Sequence, residues 1–199
     1  MTALLGHGEL VHHLEQAGRS FKKGELAYLA LTSNPRDAIR DRVAWSLQQA
    51  LAPEILVGRG WRRRGLVLLG AAEPARPLVV VDFKAGIANE ADLADKLLAW
   101  LAHDREQCRQ LDLAGAAVYR VVLATRVSTG VPQSLRAVVR SLSSHDREVS
   151  DADLAQAYQG LATRLNRYGE LSQGSIPGGE VFDGIRVALD YWLVGPARR

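Results

Sequence analysis

The sequence predicts a single α/β domain in which helices cover a mixed β-sheet. The chain has 199 residues, of which 47% are hydrophobic and 24% charged, and it holds no low-complexity segment. A chain of this size and composition is sufficient for one hydrophobic core. Helical and strand patterns follow one another in the order helix, β-hairpin, helix, strand, helices, strand, which is typical of an α/β or α+β domain, and we assign the chain to the α/β class. No convincing linker divides the sequence, so residues 1–199 are assigned to one domain.

Residues 1–32 are predicted to form N-terminal helices. "HGELVHHLEQAG" ends at Gly18, and "GELAYLALT" follows as a second short helix. No acid or cysteine stands at a metal-finger spacing from the three histidines of the first helix. We therefore expect His7, His12 and His13 at the surface.

Residues 33–127 form the predicted core, which begins with the clearest helix of the chain. Asn34 is placed to cap it, Pro35 suits its first position, and Asp37 stands where a capping box has its acid. A buried stripe is expected on one side of this helix. The stripe consists of Ile39, Val43, Leu47, Ala50 and Leu51.

Two strands, "RGWRRRGLVLLG" and "RPLVVVDFKAG", are predicted to form a hairpin around the turn-rich "AAEPARP". If the hairpin is symmetric and places residue 65 opposite Asp82, its turn centres between Glu73 and Pro74. A long helix is expected from about Asn89, and "GAAVYRVVLATRVST" reads as a further strand.

Residues 128–199 are expected to supply helices and a final strand. "VPQSLRAVVRSLSS" is predicted to be helical, and a second helix is capped by Ser150 with Asp153. A Gly/Ser/Pro loop is expected at 173–179, before the strand in "VFDGIRVALDYWLVGP". Two aromatic residues of that strand, Tyr191 and Trp192, are expected to serve packing.

The hairpin's second strand ends with two opposite charges on one face. Because side chains alternate along a strand, Val80, Asp82 and Lys84 share one face, and Val79, Val81 and Phe83 share the other. The apolar face belongs to a core. The charged face must be wet, paired or metal-bound, because burying a lone charge is costly.

The helix with "IRDRVAW", the hairpin, "VVVDFKAG" and the next helix together resemble the PD-(D/E)XK nuclease superfamily, which has the restriction-endonuclease-like fold. Asp82-Phe83-Lys84 is similar to the family's (D/E)xK element. The resemblance implies that Asp82 is a catalytic residue that binds Mg²⁺ and that Lys84 orients the attacking water. It further implies cleavage of phosphodiester bonds in DNA or RNA.

The sequence departs from the family at Gly65, where the hairpin register places the second carboxylate. Asp37 or Asp41 on the preceding helix is the expected replacement as a metal ligand, because the family often has an acid on this helix. The alternative is a catalytically inactive protein of the same fold that binds nucleic acid or a protein partner. A third interpretation takes Asp82 and Lys84 as an ordinary ion pair in an unrelated α/β protein.

Basic residues are the candidates for contact with nucleic acid. The net charge is +3, and arginines and lysines cluster in two segments, where they can meet phosphates. The candidate nucleic-acid-binding residues are Lys22, Lys23, Trp61, Arg62, Arg63 and Arg64. The oligomeric state stays open between a monomer and a homodimer.

No apolar run reaches the length that spans a bilayer, and the N-terminus lacks the features of a secretory signal. The only cysteine, Cys108, excludes an internal disulfide. We therefore expect a cytoplasmic protein without a membrane partner.

Overall fold

In the computed structural model, the described residues fold into a mixed six-stranded sheet with helices on both faces. The described residues are 5–61, 65–88, 93–110, 113, 115–127, 131–135, 137–139 and 150–196. The helices within them are α1 (His7–Arg19), α2 (Glu25–Thr32), α3 (Pro35–Leu51), α4 (Leu93–Gln110) and α5 (Asp151–Leu165). The strands are β1 (Ile55–Arg59), β2 (Leu66–Gly70), β3 (Glu73–Ile87), β4 (Ala117–Val127), β5 (Leu171–Val181) and β6 (Ile185–Val194). The predicted α/β class is confirmed.

The strands lie in the order β1-β2-β3-β4-β6-β5. Neighbouring strands are antiparallel except β3 and β4, which are parallel and are connected through α4. Strand β2 begins at Leu66, opposite Val81, whereas β3 continues to Ile87 beside β4. Residues 82–87 therefore pair with β4 and, within the described chain, with no second strand.

Alternation along the strands divides the core into clusters on the two faces of the sheet. Val79, Val81 and Phe83 belong to the cluster that packs against α1, α2 and α3, as predicted. On the opposite face, α4 and α5 cover Val122 and Trp192. A small third cluster joins Val67, Val80, Leu113 and Val118. The sheet thus separates two helical layers.

Helix α3 forms as its sequence indicates. The Asn34 side chain accepts a hydrogen bond from the Arg36 backbone N–H at 3.0 Å, and Pro35 occupies the first turn. Within the predicted stripe, Ile39, Val43 and Leu47 are buried. Ala50 is exposed and Leu51 half-buried. At α5, the Ser150 hydroxyl likewise accepts from the Asp153 N–H at 3.1 Å.

The predicted hairpin is present, and near the site it has the predicted register. Its turn is at Ala71 and Ala72, earlier than expected, because register shifts follow Leu68.

The predicted loop at 173–179 is wrong, because these residues lie within β5 and pair with β6. Strand β1 was not predicted. Of the predicted helix 131–144, the structure describes a 3-10 turn at Gln133–Leu135, and residues 136 and 140–144 lie outside the described chain.

His7 is buried rather than at the surface. Its Nδ1 lies 2.6 Å from the Gly195 carbonyl oxygen, and its Nε2 lies 2.9 Å from the Ser172 hydroxyl. These contacts tie the start of α1 to the β5–β6 end of the sheet.

Tyr191 and Trp192 are buried, as predicted. No helix in the described ranges combines the length and apolarity that a membrane span needs.

Candidate functional site

Asp82 lies where β3 extends past the start of β2. Its side chain is only 6% exposed, and its Oδ1 accepts a hydrogen bond from the Gly65 backbone N–H at 2.9 Å. Across the parallel pair, Asp82 stands beside Arg120 of β4. The strand end therefore presents a buried carboxylate that already has a backbone donor.

Asp82 and Lys84 line one cavity of about 210 Å³. Gly65 and Phe83 also contribute to its floor, while two helices supply its walls. Apart from Gly65, which directly precedes β2, the floor belongs to strand β3, which has neighbouring strands on both sides at Val81 and on one side beyond it. The structure thus brings the two residues of the DxK element to the same cavity.

One wall of the cavity comes from α4. Trp100, Asp104 and Gln107 line it, and their spacing of four and three residues places them on one side of the helix. Asp104 Oδ2 accepts a hydrogen bond from Arg120 Nε at 2.6 Å, and both side chains are 3% exposed. A second carboxylate therefore reaches the cavity, held by a buried ion pair.

The opposite wall comes from α3, through its arginines. Arg36 and Arg40, one helical turn apart, line the cavity. Arg40 Nη1 lies 3.0 Å from Asp37 Oδ1, and Arg40 Nη2 lies 2.9 Å from Asp41 Oδ1. The wall that α3 presents therefore carries two guanidinium groups, each in contact with an aspartate of the same helix.

The predicted metal ligands on α3 are turned to other partners. Asp37 contacts Arg36 and Arg40, and its pKa lies below the usual range, mainly because Arg36 donates a hydrogen bond to it. Asp41 also pairs with Arg59 of β1, with 2.8 Å between Arg59 Nη1 and Asp41 Oδ2. Neither acid is among the described residues that line the cavity.

Of the predicted nucleic-acid contacts, the structure describes Trp61, Lys22 and Lys23. Trp61 packs, half-buried, against the small cluster around Val67 and Val80. Arg62, Arg63 and Arg64 lie outside the described residues. Lys22 and Lys23 are exposed in the segment between α1 and α2 and do not line the cavity.

Whether Mg²⁺ fits the cavity depends on the metal-ligating side chains that line it. Among the described residues, no group of three or more His, Cys, Asp or Glu side chains is placed to hold a metal. Mg²⁺ commonly takes one or two protein carboxylates and completes its shell with waters and substrate phosphate. Asp82 and Asp104 supply two carboxylates to the lining of the cavity, and each already accepts a hydrogen bond.

Five helix residues that line the cavity were not predicted from the sequence. Arg36 and Arg40 carried a signal in their spacing, as did Trp100 and Gln107, since each pair falls on one side of a helix. That signal could not indicate which side of the helix faces the sheet. Asp104 was missed for the same reason.

The sequence matches no protein-family profile, no curated protein and no solved structure.

Proposed function

We propose that the protein binds the phosphodiester backbone of nucleic acid in the cavity at Asp82 and Lys84, on a restriction-endonuclease-like fold. The order of α3, the β2–β3 hairpin and α4 supports the resemblance on which the fold is proposed. The function rests on one observation, which is that Arg36, Arg40 and Lys84 line a single cavity.

The charges around the cavity favour an anionic ligand. Forked guanidinium groups match the geometry of phosphate oxygens, and a lysine adds a point charge. Of the two acids that line the cavity, Asp104 is paired with Arg120 and Asp82 takes the Gly65 N–H. Three cationic side chains and two acids thus line the cavity, an excess of one positive charge, and Arg36 and Arg40 in turn contact Asp37.

Gly65 supports binding over cleavage. A Cβ at this position would lie 2.5 Å from the Val81 carbonyl oxygen and 3.1 Å from Phe83 Cδ2. Real Cβ atoms do not approach backbone so closely, so an aspartate fits here only if the strands move. The expected second carboxylate is replaced by a backbone donor that binds Asp82.

A second candidate function, Mg²⁺-dependent phosphodiester cleavage, is favoured by Asp104. This acid lines the cavity together with Asp82 and Lys84. Asp82 and Asp104 would hold the ion, which would supply Lewis-acid polarisation of a phosphate and an activated water. Lys84 would hold or donate a proton at Nζ.

The test of binding uses labelled DNA and RNA oligonucleotides in EDTA, with fluorescence anisotropy measured over a salt series. We expect an Arg36→Gln/Arg40→Gln variant to bind more weakly, and its salt slope to fall by about one for each phosphate that the variant no longer neutralises. Arg164→Gln is the matched control, because Arg164 of α5 is about half exposed and pairs with Asp95 of α4. Binding that survives in the double variant but disappears after substitution of Lys22 and Lys23, or of Arg62–Arg64, would overturn the proposal.

The test of cleavage uses the same oligonucleotides with Mg²⁺ or Mn²⁺ in place of EDTA. If the native protein binds without cutting, the first proposal stands. Metal-dependent cutting that is abolished in Asp82→Asn and in Lys84→Met would establish the second.

A further inference from the structure

The two walls of the cavity differ in chemistry. The α3 wall presents Arg36 and Arg40, whereas the α4 wall presents Trp100 and Gln107 beside the paired Asp104. Phosphates are bound by cations, and the exposed part of the α4 wall has none among the described residues that line the cavity. That wall therefore suits a different part of the ligand.

Trp100 is positioned to offer an aromatic surface. It is half-buried and packs against the cluster formed by α4, α5 and the sheet, so its indole is held in place while part of it lines the cavity. Nucleobases stack on such side chains, and the contact tolerates any base because every base has a π-face.

Gln107 adds polar groups two helical turns further on. It is exposed, and its Nε2 lies 2.7 Å from His103 Nε2. A glutamine amide both donates and accepts hydrogen bonds, as the edge of a base requires. An aromatic face and an amide on one wall, across from cations, match the two parts of a nucleotide.

We infer that the cavity binds a nucleotide whose base is free, with the base against Trp100 and Gln107 and its phosphates toward Arg36, Arg40 and Lys84. A base stacked and paired within a duplex cannot reach such a wall unless it is extruded. The substrate class is therefore single-stranded nucleic acid, or an unpaired nucleotide within a duplex. This inference rests on the proposed binding of the backbone.

The experiment compares three DNA probes of equal length: a single strand, an abasic single strand with the same phosphates, and a duplex. We expect the native protein to bind the normal single strand at least about fivefold more tightly than the abasic strand. This factor corresponds to the lower end of the free energy that one base–aromatic stack contributes to binding. A paired duplex should bind like the abasic strand or more weakly.

The variants separate the base contact from the phosphate contacts. Trp100→Leu should remove most of the difference in affinity between the normal and the abasic strand, and Trp100→Phe should restore most of it. Gln107→Ala, at an exposed position, provides a second test if Trp100→Leu disturbs the fold. Trp45→Leu is the matched control, since Trp45 is 63% exposed on α3 and does not line the cavity.

The outcomes distinguish this inference from the proposal beneath it. Equal affinity for normal and abasic strands, with weaker binding in Arg36→Gln/Arg40→Gln, overturns the base contact and leaves backbone binding intact. A preference for the normal strand that neither Trp100→Leu nor Gln107→Ala reduces also overturns it. Absence of binding to every probe overturns both.

Discussion

The Gly65 backbone N–H donates a hydrogen bond to Asp82 Oδ1 at 2.9 Å, across the first residues of the β2–β3 hairpin. Gly65 directly precedes β2 and Asp82 directly follows Val81, which pairs with Leu66, so the register of the hairpin brings the donor to the carboxylate. A side chain at position 65 would meet the Val81 carbonyl oxygen and the Phe83 ring. Glycine is therefore required here for close approach of the strands rather than for an unusual backbone angle.

The first prediction concerns that close approach. We expect Gly65→Ala to lower the free energy of unfolding by about 1–3 kcal/mol, the usual cost of overpacking, as measured by urea denaturation. Gly70→Ala at the other end of β2 is the control, because a Cβ there would make an ordinary 3.6 Å contact with Leu78 Cδ1. Equal stability of the two variants would show that the strands separate easily at position 65.

The second prediction concerns the buried pair of Asp104 and Arg120. Removing either partner breaks a buried ion pair, so Asp104→Leu or Arg120→Met should each cost about 3–5 kcal/mol. The double variant should lose less than the sum of the two, because neither charge then remains. Unfolding in urea, analysed as a double-mutant cycle, measures the difference.

The exposed pair of Arg164 and Asp95 serves as the comparison. Its N–O distance is 3.1 Å, yet both side chains are more than half exposed. Asp95→Asn should therefore cost less than about 1 kcal/mol. Strict additivity in the Asp104–Arg120 cycle would contradict the coupling that the 2.6 Å contact implies.

The third prediction concerns acid stability through Asp190. Burial raises the pKa of this carboxyl, but hydrogen bonds from Arg126, Tyr158 and Ser175 outweigh burial and hold the pKa below its usual value. Because the folded pKa is lower than the unfolded one, the stabilisation is complete above about pH 4 and is lost as the pH falls through the folded value.

We expect Asp190→Asn to lose about 2–3 kcal/mol at neutral pH, the range for hydrogen bonds to a charged group. The deficit relative to the native protein should shrink as the pH falls below about 4, because the unfolded state then binds a proton at Asp190 that the folded state binds only at a lower pH. Denaturation over a pH series measures this. Asp183→Asn, in the exposed β5–β6 turn, is the control. A deficit that does not vary with pH would contradict the low pKa of Asp190.

The fourth prediction separates two roles for Asp37. Its contacts with Arg36 and Arg40 partly neutralise their guanidinium groups, so Asp37→Asn should bind single-stranded DNA at least as tightly as the native protein at low salt. An acid that instead ligated Mg²⁺ would give the opposite result. Loss of a Mg²⁺-dependent gain in affinity in Asp37→Asn, with binding in EDTA unchanged, would identify it as a ligand.

Patterns that depend on nearby residues predicted strand β3, its pairing with β2 and the start of helix α3. The apolar runs and the Asp82–Lys84 alternation indicated which face of β3 is buried, and the predicted register holds at Leu66–Val81 and at Val67–Val80. The cap at Asn34 likewise follows from short-range chemistry alone. These features depend on neighbours in sequence or on one hairpin.

The failures have a common physical cause, which is tertiary context. Strand β5 contains glycines and Pro177, residues that an edge strand tolerates but that a sequence pattern assigns to a loop. The burial of His7 depends on Ser172 and Gly195, far away in sequence. The cavity walls depend on which sides of α3 and α4 face the sheet, and periodicity alone leaves that orientation undetermined.

The division of the cavity into floor and walls also has an evolutionary consequence. The floor residue Asp82 is buried in a central strand, where a substitution destabilises the sheet. The wall residues Arg36 and Gln107 lie on helix surfaces, where most substitutions change stability by less than about 0.5 kcal/mol. Proteins that evolve from this chain could therefore acquire new ligand preferences through substitutions in the cavity walls while they keep the same fold.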